Sequence, residues 1–244
     1  MVEGRVRLDQ ALVAKGLVPS RQRAQAMVRA GLVRVGGEVA ERPDQLVNAE
    51  VRIDLEGVKG YVSRGGDKLE AALEAFALDP SGRVCLDVGA STGGFTDILL
   101  QRGASRVIAV DVGYGQLDFR LRQDPRVIVL ERVNIRHLDR LPVPANLAVI
   151  DVSFISLRLV LPRVRELLSP PGDVMALVKP QFEVGKGAVG KGGIVRDPDQ
   201  HRQVLTELRH FAEANGYTVA GELPSPVLGA KGNREFFLYL RRHG

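Results

Sequence analysis

A glycine-rich segment, DVGASTGGFTD at residues 87–97, carries the strongest chemical signal in the sequence. It follows the apolar run RVCLDV, which predicts a buried strand, and it leads into GGFTDILLQRG, which predicts a helix. Gly89, Gly93 and Gly94 would let the backbone approach a ligand closely. The spacing differs from the G-x-G-x-x-G of dinucleotide-binding folds. We therefore expect a small-molecule site of another kind at this turn.

Two carboxylates accompany the turn. Asp87 lies at the end of the first predicted strand, and Asp111 ends the second, RVIAVDV, where Rossmann-like sheets hold a ribose. Because Asp87 would repel a pyrophosphate but attract a cationic amine or sulfonium, the pair predicts S-adenosylmethionine as the ligand. The alternative is a glycine turn of an ordinary α/β protein that binds nothing.

From residue 65 onward, strand-like and helix-like segments alternate, which is typical of a doubly wound α/β sheet. Apolar runs such as VIAV and LAVI indicate strands covered on both faces. Helices are predicted at residues 67–78, 93–103, 156–168 and 198–215. We predict a Rossmann-like, mostly parallel sheet of seven strands, namely RVCLDV, RVIAVDV, RVIVL, ANLAVIDV, DVMALVKP, YTVAGELPSPV and EFFLYLRR.

The composition of the chain argues against several other classes of protein. The 244 residues are 45% hydrophobic and 26% charged, which is typical of globular chains. No run approaches the ~20 apolar residues of a membrane span, and the charged N-terminus is unlike a secretory signal. The one cysteine, Cys85, cannot form an internal disulfide, and the four histidines lack metal-ligand spacing. We predict a cytoplasmic protein without a metal, and the oligomeric state stays open.

The first 58 residues predict a separate, small α+β domain. LDQALVAKG and RQRAQAMVRA predict two helices, the second capped by Ser20 and ended by Gly31 in the left-handed conformation. The Gly36-Gly37 turn between LVRV and EVA predicts a hairpin, and VRIDL predicts a further strand. The glycine-rich stretch that follows predicts a linker at 59–64, so that the larger domain occupies 65–244.

Basic residues dominate part of this small domain. No acidic residue occurs between Lys15 and Gly37, and Arg21 and Arg23 open the second helix, where backbone amides are also free. The net charge of the whole chain is +5. This surface suits nucleic-acid phosphates, and a solvated basic face is the alternative.

The same stretch resembles the small RNA-binding domain first described in ribosomal protein S4. The matching residues are the R-L-D of the first helix, the S-R of the second, and GLVRVGG, with Gly36 where asparagine is usual. Such domains are adaptors without catalysis, so the resemblance makes Asp9 structural. It also implies an RNA-binding set, in which we include Arg7, Lys15, Ser20, Arg21, Arg23 and Arg64.

The glycine-rich turn is similar to the D-L-G-A-A-P-G-G-W loop of the FtsJ family of RNA ribose 2′-O-methyltransferases, with Thr92 and Phe95 at the proline and tryptophan positions. Together with the adaptor, the chain resembles the TlyA (hemolysin A) family. The resemblance implies a class I S-adenosylmethionine-dependent methyltransferase fold. It rests on SRGGDKLEAAL, AVDVGYGQL, DVSFISL, LVKPQFE, KGGIVRD and GAKGNREFFLYL as well as the turn.

The resemblance implies a catalytic tetrad of Lys68, Asp151, Lys179 and Glu235. Asp151 and Lys179 end predicted strands at the edge of the sheet that carries the ligand turn. A ribose hydroxyl is a weak nucleophile, so its oxygen must be held and its proton removed. Lys179 is either the base or the group that orients the oxygen.

Cofactor contacts are also implied. Around the methionine portion we expect Asp87, Gly89, Ser91, Gly93, Gly94 and Phe95. Asp111 would accept the ribose hydroxyls, Val112 and Asn134 would contact the adenine, and Asp151 would serve both cofactor and catalysis. The glycine-rich loop at 183–194, with Lys186 and Lys191, is either a lid or RNA clamp or an ordinary connection.

We therefore predict methylation of a ribose 2′-hydroxyl, in cytidine, with ribosomal RNA or ribosomal subunits as partner. Base methylation is a weaker hypothesis, because DVSF lacks the Pro-Pro-aromatic pattern of amino-group methylation and Cys85 lies inside a strand. Two rival hypotheses are a non-catalytic RNA-binding or assembly protein on this fold and a hemolysin-like cytolysin.

Overall fold

A computed structural model describes residues 5–18, 21–55, 61–185, 189–190 and 192–243. The chain divides into two compact units, Met1–Gly60 and Tyr61–Gly244. Ser20, Lys186 and Lys191 of the sequence analysis lie outside the described residues, as does the side chain of Arg23. No helix of the described ranges is long and apolar enough to cross a membrane.

The first unit is α+β, as predicted. Gly31 (φ 70°) follows the second helix, and Gly36 and Gly37 (φ 61° and 95°) form a hairpin turn in which both residues need positive φ. Strands β2 (Val33–Val35), β3 (Glu38–Val39) and β5 (Ile53–Leu55) form one antiparallel sheet, and β1 (Arg5–Arg7) pairs with β4 (Leu46–Asn48). The sequence analysis missed β1 and β4, which are three residues each. The elements are β1 Arg5–Arg7, α1 Leu8–Ala14, α2 Arg21–Arg29, β2 Val33–Val35, β3 Glu38–Val39, β4 Leu46–Asn48 and β5 Ile53–Leu55.

A buried carboxylate ties the two helices of this unit together. Asp9 is fully buried and accepts hydrogen bonds from Arg7 and Arg21, each at 3.1 Å, and from Gln25 at 3.0 Å. These hydrogen bonds, that of Arg7 above all, hold the pKa of Asp9 well below its usual range. Asp9 is therefore structural, and it fixes the direction of two arginines that belong to the predicted RNA-binding set.

The second unit is an α/β sandwich. Its elements are α3 Gly65–Ala75, β6 Val84–Val88, α4 Gly94–Gln101, β7 Arg106–Asp111, α5 Phe119–Gln123, β8 Val127–Glu131, β9 Ala145–Ile150, α6 Leu161–Leu167, β10 Leu168–Val178, α7 Pro180–Glu183, α8 Pro198–Ala214, β11 Tyr217–Pro224 and β12 Phe236–Arg242. Residues 156–168, predicted as one helix, form a 3-10 turn, Leu157–Leu159, and then α6.

The seven strands form one sheet in the order β11-β12-β10-β9-β6-β7-β8, and β12 is antiparallel to both of its neighbours. The predicted mostly parallel sheet is therefore confirmed. Side chains alternate between two cores, with Cys85 on one face of β6 and Leu86 on the other. The strand order reverses between β6 and β9, and in such sheets ligands bind at the carboxyl ends of the strands at this point.

The second compact unit begins at Tyr61. Tyr61–Arg64 were assigned to the linker, but Tyr61 packs against the core of the second unit and the backbone N–H of Val62 donates to Asp97 at 2.8 Å. A Cβ on Gly66 would overlap the ring of Tyr61, so this close approach requires glycine. Residues 61–64 are thus the beginning of the second unit.

Replacing Asp9 with asparagine should destabilise the first unit locally. An asparagine leaves some of the donors of Arg7, Arg21 and Gln25 without an acceptor, at a cost of about 1–3 kcal/mol. Amide hydrogen exchange in α1 and α2 should accelerate accordingly, while α8 of the other unit keeps its rate.

The matched control is Asp44→Asn, which removes one partner of the exposed pair between Arg42 and Asp44. It should leave exchange in α1 and α2 unchanged, because exposed pairs contribute little. Equal acceleration in both variants would show that Asp9 does not tie the helices together.

Candidate active site

The carboxyl ends of β6 and β9 meet so closely that only glycine fits between them. Gly89 has φ 85°, and a Cβ there would lie 2.5 Å from the carbonyl oxygen of Asp151. The N–H of Asp151 in turn donates to the carbonyl of Val88 at 2.9 Å. This contact places the glycine-rich turn beside the first residue after β9.

Asp111 fixes the other side of the same turn. Its carboxylate accepts from the backbone N–H of Ser91 at 2.8 Å and of Gly113 at 2.7 Å. Ser91 has φ 50°, a conformation rare for a side-chain-bearing residue and typical of functional turns. The predicted ribose acceptor thus holds the loop around it, and its carboxylate oxygens retain further lone pairs.

A cavity of roughly 820 Å³ opens at this edge of the sheet. Val112 is 69% exposed there, and the side chain of Asn134 caps the following 3-10 turn by accepting from the N–H of Arg136. The cavity brings together a subset of the predicted cofactor residues, namely Gly89, Ser91, Asp111, Val112, Asn134 and Asp151.

Asp87 is placed differently from the expectation. It is fully buried beneath the turn. Among the described residues it lines neither this cavity nor the second cavity, which is described below. Its Oδ2 accepts from the hydroxyl of Thr96 at 2.7 Å, and its Oδ1 has no partner among the described groups. Burial raises its pKa to about 7. Gly93 also lines neither cavity, and a Cβ there would overlap the side chain of Leu121.

A second cavity, of roughly 460 Å³, contains all four residues of the predicted tetrad. Lys68 Nζ lies 2.6 Å from Glu235 Oε2, and Lys179 Nζ lies 2.5 Å from Asp151 Oδ1. The tetrad therefore consists of two lysine–carboxylate pairs, and we call the cavity that they line the tetrad cavity. Gly94, Phe95 and Arg64 also line it, and the ring of Phe95 packs 6.3 Å from that of Phe237.

Ser153 is a residue that the sequence analysis missed. Its hydroxyl accepts from Lys179 Nζ at 2.8 Å, so one of the three ammonium N–H groups has a hydrogen-bond partner. The amine also forms the ion pair with Asp151, whose Oδ1 has no hydrogen-bond partner among the described groups. Asp151 and Ser153 both follow β9, and the amine held beside them keeps N–H groups that can point at a substrate atom.

Phe154 is the second missed residue. It is 90% exposed, has φ 64°, and lies 5.1 Å from the ring of Phe182. Both rings line both cavities, so they stand where the cavities join. The signal in the sequence was an aromatic residue after a strand, within DVSF, and its exposure could not be read from the pattern.

Glu183 anchors the segment that carries these groups. It accepts from the hydroxyl of Ser156 at 2.6 Å and from the N–H of Leu157 at 2.8 Å, and burial raises its pKa. Because Glu183 follows Phe182 directly, this link ties α7 to residues 153–157. Within the described ranges, no group of His, Cys, Asp and Glu side chains could hold a metal ion.

Each of the two units matches a known protein family. The family model for the FtsJ-like methyltransferase matches residues 61–242, and the model for the S4 domain matches residues 6–53. These two matches correspond to the large sheet and to the small α+β unit.

Individual relatives extend the likeness over nearly the whole chain. The 16S/23S rRNA (cytidine-2′-O)-methyltransferase TlyA of Mycobacterium tuberculosis is 48% identical over 241 residues, covering 97% of this chain and 90% of the relative. Hemolysin A of Brachyspira hyodysenteriae is 37% identical over 241 residues, covering 96% and 99%. A solved structure of a candidate hemolysin from Streptococcus thermophilus has 43% identity and a TM-score of 0.74, covering 99% and 90%.

Asp87 should make stability depend on pH. Its folded-state pKa of about 7 exceeds its ordinary value of 3.8. Its contribution is therefore complete below about pH 4 and is lost as the pH rises through about 7. The unfolding free energy of Asp87→Asn, relative to wild type, should rise by about 2–3 kcal/mol between pH 5 and pH 8.

Urea denaturation at both pH values measures the difference. Asp79→Asn, at an exposed position, is the control and should track wild type at both. A difference between Asp87→Asn and wild type that stays the same from pH 5 to pH 8 would remove Asp87 as the titrating group.

Proposed function

Because the chain belongs to the FtsJ-like methyltransferase family, we propose that it transfers a methyl group from S-adenosylmethionine to a ribose 2′-hydroxyl of ribosomal RNA, at cytidine. The observation that carries this proposal is the meeting of Lys68, Asp151, Lys179 and Glu235 in one cavity. That cavity shares Gly89, Asp151 and Phe154 with the larger one, so a donor and an acceptor can lie side by side.

The larger cavity fits the cofactor. Its volume is within the usual range for small-molecule sites, and Gly89 leaves the backbone of the turn open to close approach. We propose that Asp111 accepts the ribose hydroxyls and that Val112 packs against the adenine. When bound, S-adenosylmethionine supplies an electrophilic methyl group on its sulfonium.

Lys179 is the group that positions the attacking oxygen. Lys179 donates one N–H to Ser153 and is held beside Asp151 by the ion pair, so that a remaining N–H can donate to the 2′-oxygen and fix its direction. As the oxygen bonds to the methyl group, its proton becomes strongly acidic. We propose that this proton passes to the Asp151 carboxylate of the pair, while the bond from the methyl carbon to sulfur breaks.

The Lys68–Glu235 pair supplies the opposite wall. Glu235 is 3% exposed and Gly229 leaves room for its carboxylate, since a Cβ on Gly229 would overlap Oε1. Lys68 Nζ keeps donors beyond the one that meets Glu235. We propose that they hold the ribose so that the 2′-oxygen faces the donor.

The exposed ring of Phe154 fits an unstacked base. Aromatic side chains stack on nucleobases without reading their sequence, and such contacts are worth about 1–3 kcal/mol each. Next to the tetrad cavity, this ring can support the base of the target nucleotide while Lys179 holds its ribose.

The S4 domain is proposed as the first RNA contact, with ribosomal subunits in the cytoplasm as partner. Lys15 is exposed, and Arg7 and Arg21 keep 39% and 52% of their side chains exposed although both pair with Asp9. A guanidinium bound on one edge can still donate from the other. The predicted RNA contacts of Arg23 and Ser20 remain predictions.

The decisive test is methyl transfer to purified ribosomal subunits and to free ribosomal RNA, with the modified nucleotide mapped afterwards. A 2′-O-methylated cytidine is the expected product. Binding of RNA without any transfer would instead support the non-catalytic hypothesis.

Lys179→Met should reduce the rate of methyl transfer by about 10²–10⁴-fold, because the oxygen is no longer oriented beside a proton acceptor. Affinities for cofactor and RNA should stay within a few-fold of wild type, as calorimetry and filter binding can show. Near-normal turnover would refute the tetrad assignment.

Lys179→Arg separates orientation from proton removal. A guanidinium can pair with Asp151 and donate to the oxygen but cannot give up its proton. We expect more residual transfer than in Lys179→Met. If the two variants are equally inactive, a donated hydrogen bond alone does not account for the role of Lys179.

Asp111→Ala should weaken cofactor binding about ten-fold or more, since a hydrogen bond to a charged group is worth about 1.5–3 kcal/mol. The loss of the Ser91 anchor adds to this effect. Asp111→Asn keeps one acceptor oxygen and should lose less. Unchanged calorimetric affinity in Asp111→Ala would exclude the residue from the ribose site.

A further inference from the structure

A separate group of cations lies on the second unit, outside the tetrad cavity. Arg196, Lys231 and Arg234 are exposed and line a cavity of roughly 310 Å³ beside the buried His201. Within the described residues, none of the three has a carboxylate partner. By contrast, ten arginines of the same unit do, namely Arg83, Arg102, Arg120, Arg122, Arg126, Arg158, Arg163, Arg202, Arg209 and Arg241.

A buried asparagine joins the two segments that carry these cations. Asn233 is 3% exposed, donates to the carbonyl of Gly193 at 3.0 Å and accepts from the N–H of Val195 at 3.0 Å. His201 Nε2 lies 3.0 Å from the carbonyl of Val195. Arg196 and Arg234 therefore extend from a fixed frame.

The backbone at Lys231 is strained. Its φ of 58° and ψ of 14° lie in the left-handed region, which side-chain-bearing residues adopt rarely and mostly at functional sites. Its Nζ is 3.8 Å from the position that a Cβ on Gly193 would take. The lysine thus reaches across to the segment that carries Arg196.

The nearby carboxylates are occupied elsewhere. Asp197 caps α8 by accepting from the N–H of Asp199, and the side chain of Asp199 pairs with Arg202. The three cations repel one another without compensation, so an anion with several acceptor oxygens would relieve them. Guanidinium groups and an ammonium in one cavity are the donors that phosphate prefers.

The position of the cluster relates it to the tetrad. Arg234 directly precedes Glu235, whose carboxylate faces the tetrad cavity, and Gly229 of the same loop lines that cavity too. The loop at residues 229–235 therefore lines the tetrad cavity on one side and the cavity of the three cations on the other. The cations and the tetrad cavity are therefore joined through consecutive residues of one loop, Arg234 and Glu235.

We propose that Arg196, Lys231 and Arg234 form a phosphate-binding site that grips the RNA backbone next to the target nucleotide. The inference rests on the proposed function, because it requires RNA as substrate. It assigns the second unit an RNA contact of its own, which positions the strand without reading its sequence.

The test is a full-length triple variant, Arg196→Gln with Lys231→Gln and Arg234→Gln. The control replaces three carboxylate-paired arginines, the exposed Arg120 and Arg126 and the half-buried Arg209, with glutamine, and so removes the same charge. Affinity for ribosomal RNA is measured at several salt concentrations. The triple variant should bind about ten-fold or more weakly, and its log–log salt slope should be shallower by roughly 0.7–0.9 for each phosphate that the protein no longer touches.

Cofactor affinity should be unchanged in both variants, and the control should keep wild-type RNA affinity and slope. Equal weakening in both variants would overturn the proposal in favour of diffuse charge, and so would an unaffected triple variant. If the wild-type protein binds RNA but transfers no methyl group, the proposed function fails. The comparison of RNA affinities still shows whether the three cations bind the RNA backbone.

A free small anion is the alternative ligand for these three cations. Calorimetric titration with inorganic phosphate distinguishes it from the RNA backbone. Tight phosphate binding that disappears in the triple variant, together with unchanged RNA affinity, would reassign the cavity to a free anion. Weak phosphate binding with reduced RNA affinity supports the backbone contact.

Discussion

The contact between Gly89 and the carbonyl of Asp151 is the constraint on which the active site depends. It lies where the strand order of the sheet reverses, and it lets the glycine-rich turn and the end of β9 approach within a distance that any side chain would prevent. Through it, the two cavities share a wall. Asp151 therefore lines both cavities and pairs with Lys179.

Charge pairing organises the rest of the second unit. In the tetrad cavity each lysine is matched by one carboxylate, so two desolvated cations are placed near a cationic cofactor without net repulsion. Ten arginines of the same unit also have a carboxylate partner among the described residues. Arg196, Lys231 and Arg234 have none, and in our proposal the RNA phosphate supplies the negative charge.

Sequence reasoning identified the strands because apolar runs bounded by glycine and aspartate predict buried parallel strands directly. It also placed Asp151 and Lys179 at one edge, since the ends of parallel strands share an edge, while Lys68 and Glu235 came from the resemblance. It could not predict which lysine pairs with which carboxylate, or that Ser153 would hold Lys179, because these depend on side-chain directions set by packing. The burial of Asp87 was not predicted for a related reason, since a position at a strand end does not reveal whether its side chain faces the cavity or the core.

The two kinds of charge respond differently to the solvent, and this separates chemistry from recognition. The side chains of the tetrad pairs are between 2% and 24% exposed, so dissolved salt screens them little. The basic side chains proposed to meet RNA are exposed in both units, and salt weakens their phosphate contacts strongly. Ionic strength can therefore regulate how long the RNA stays bound without altering the geometry that Lys179 and Asp151 impose on the ribose. The proposed catalytic charges are thus shielded from dissolved salt, whereas the proposed recognition charges are open to it.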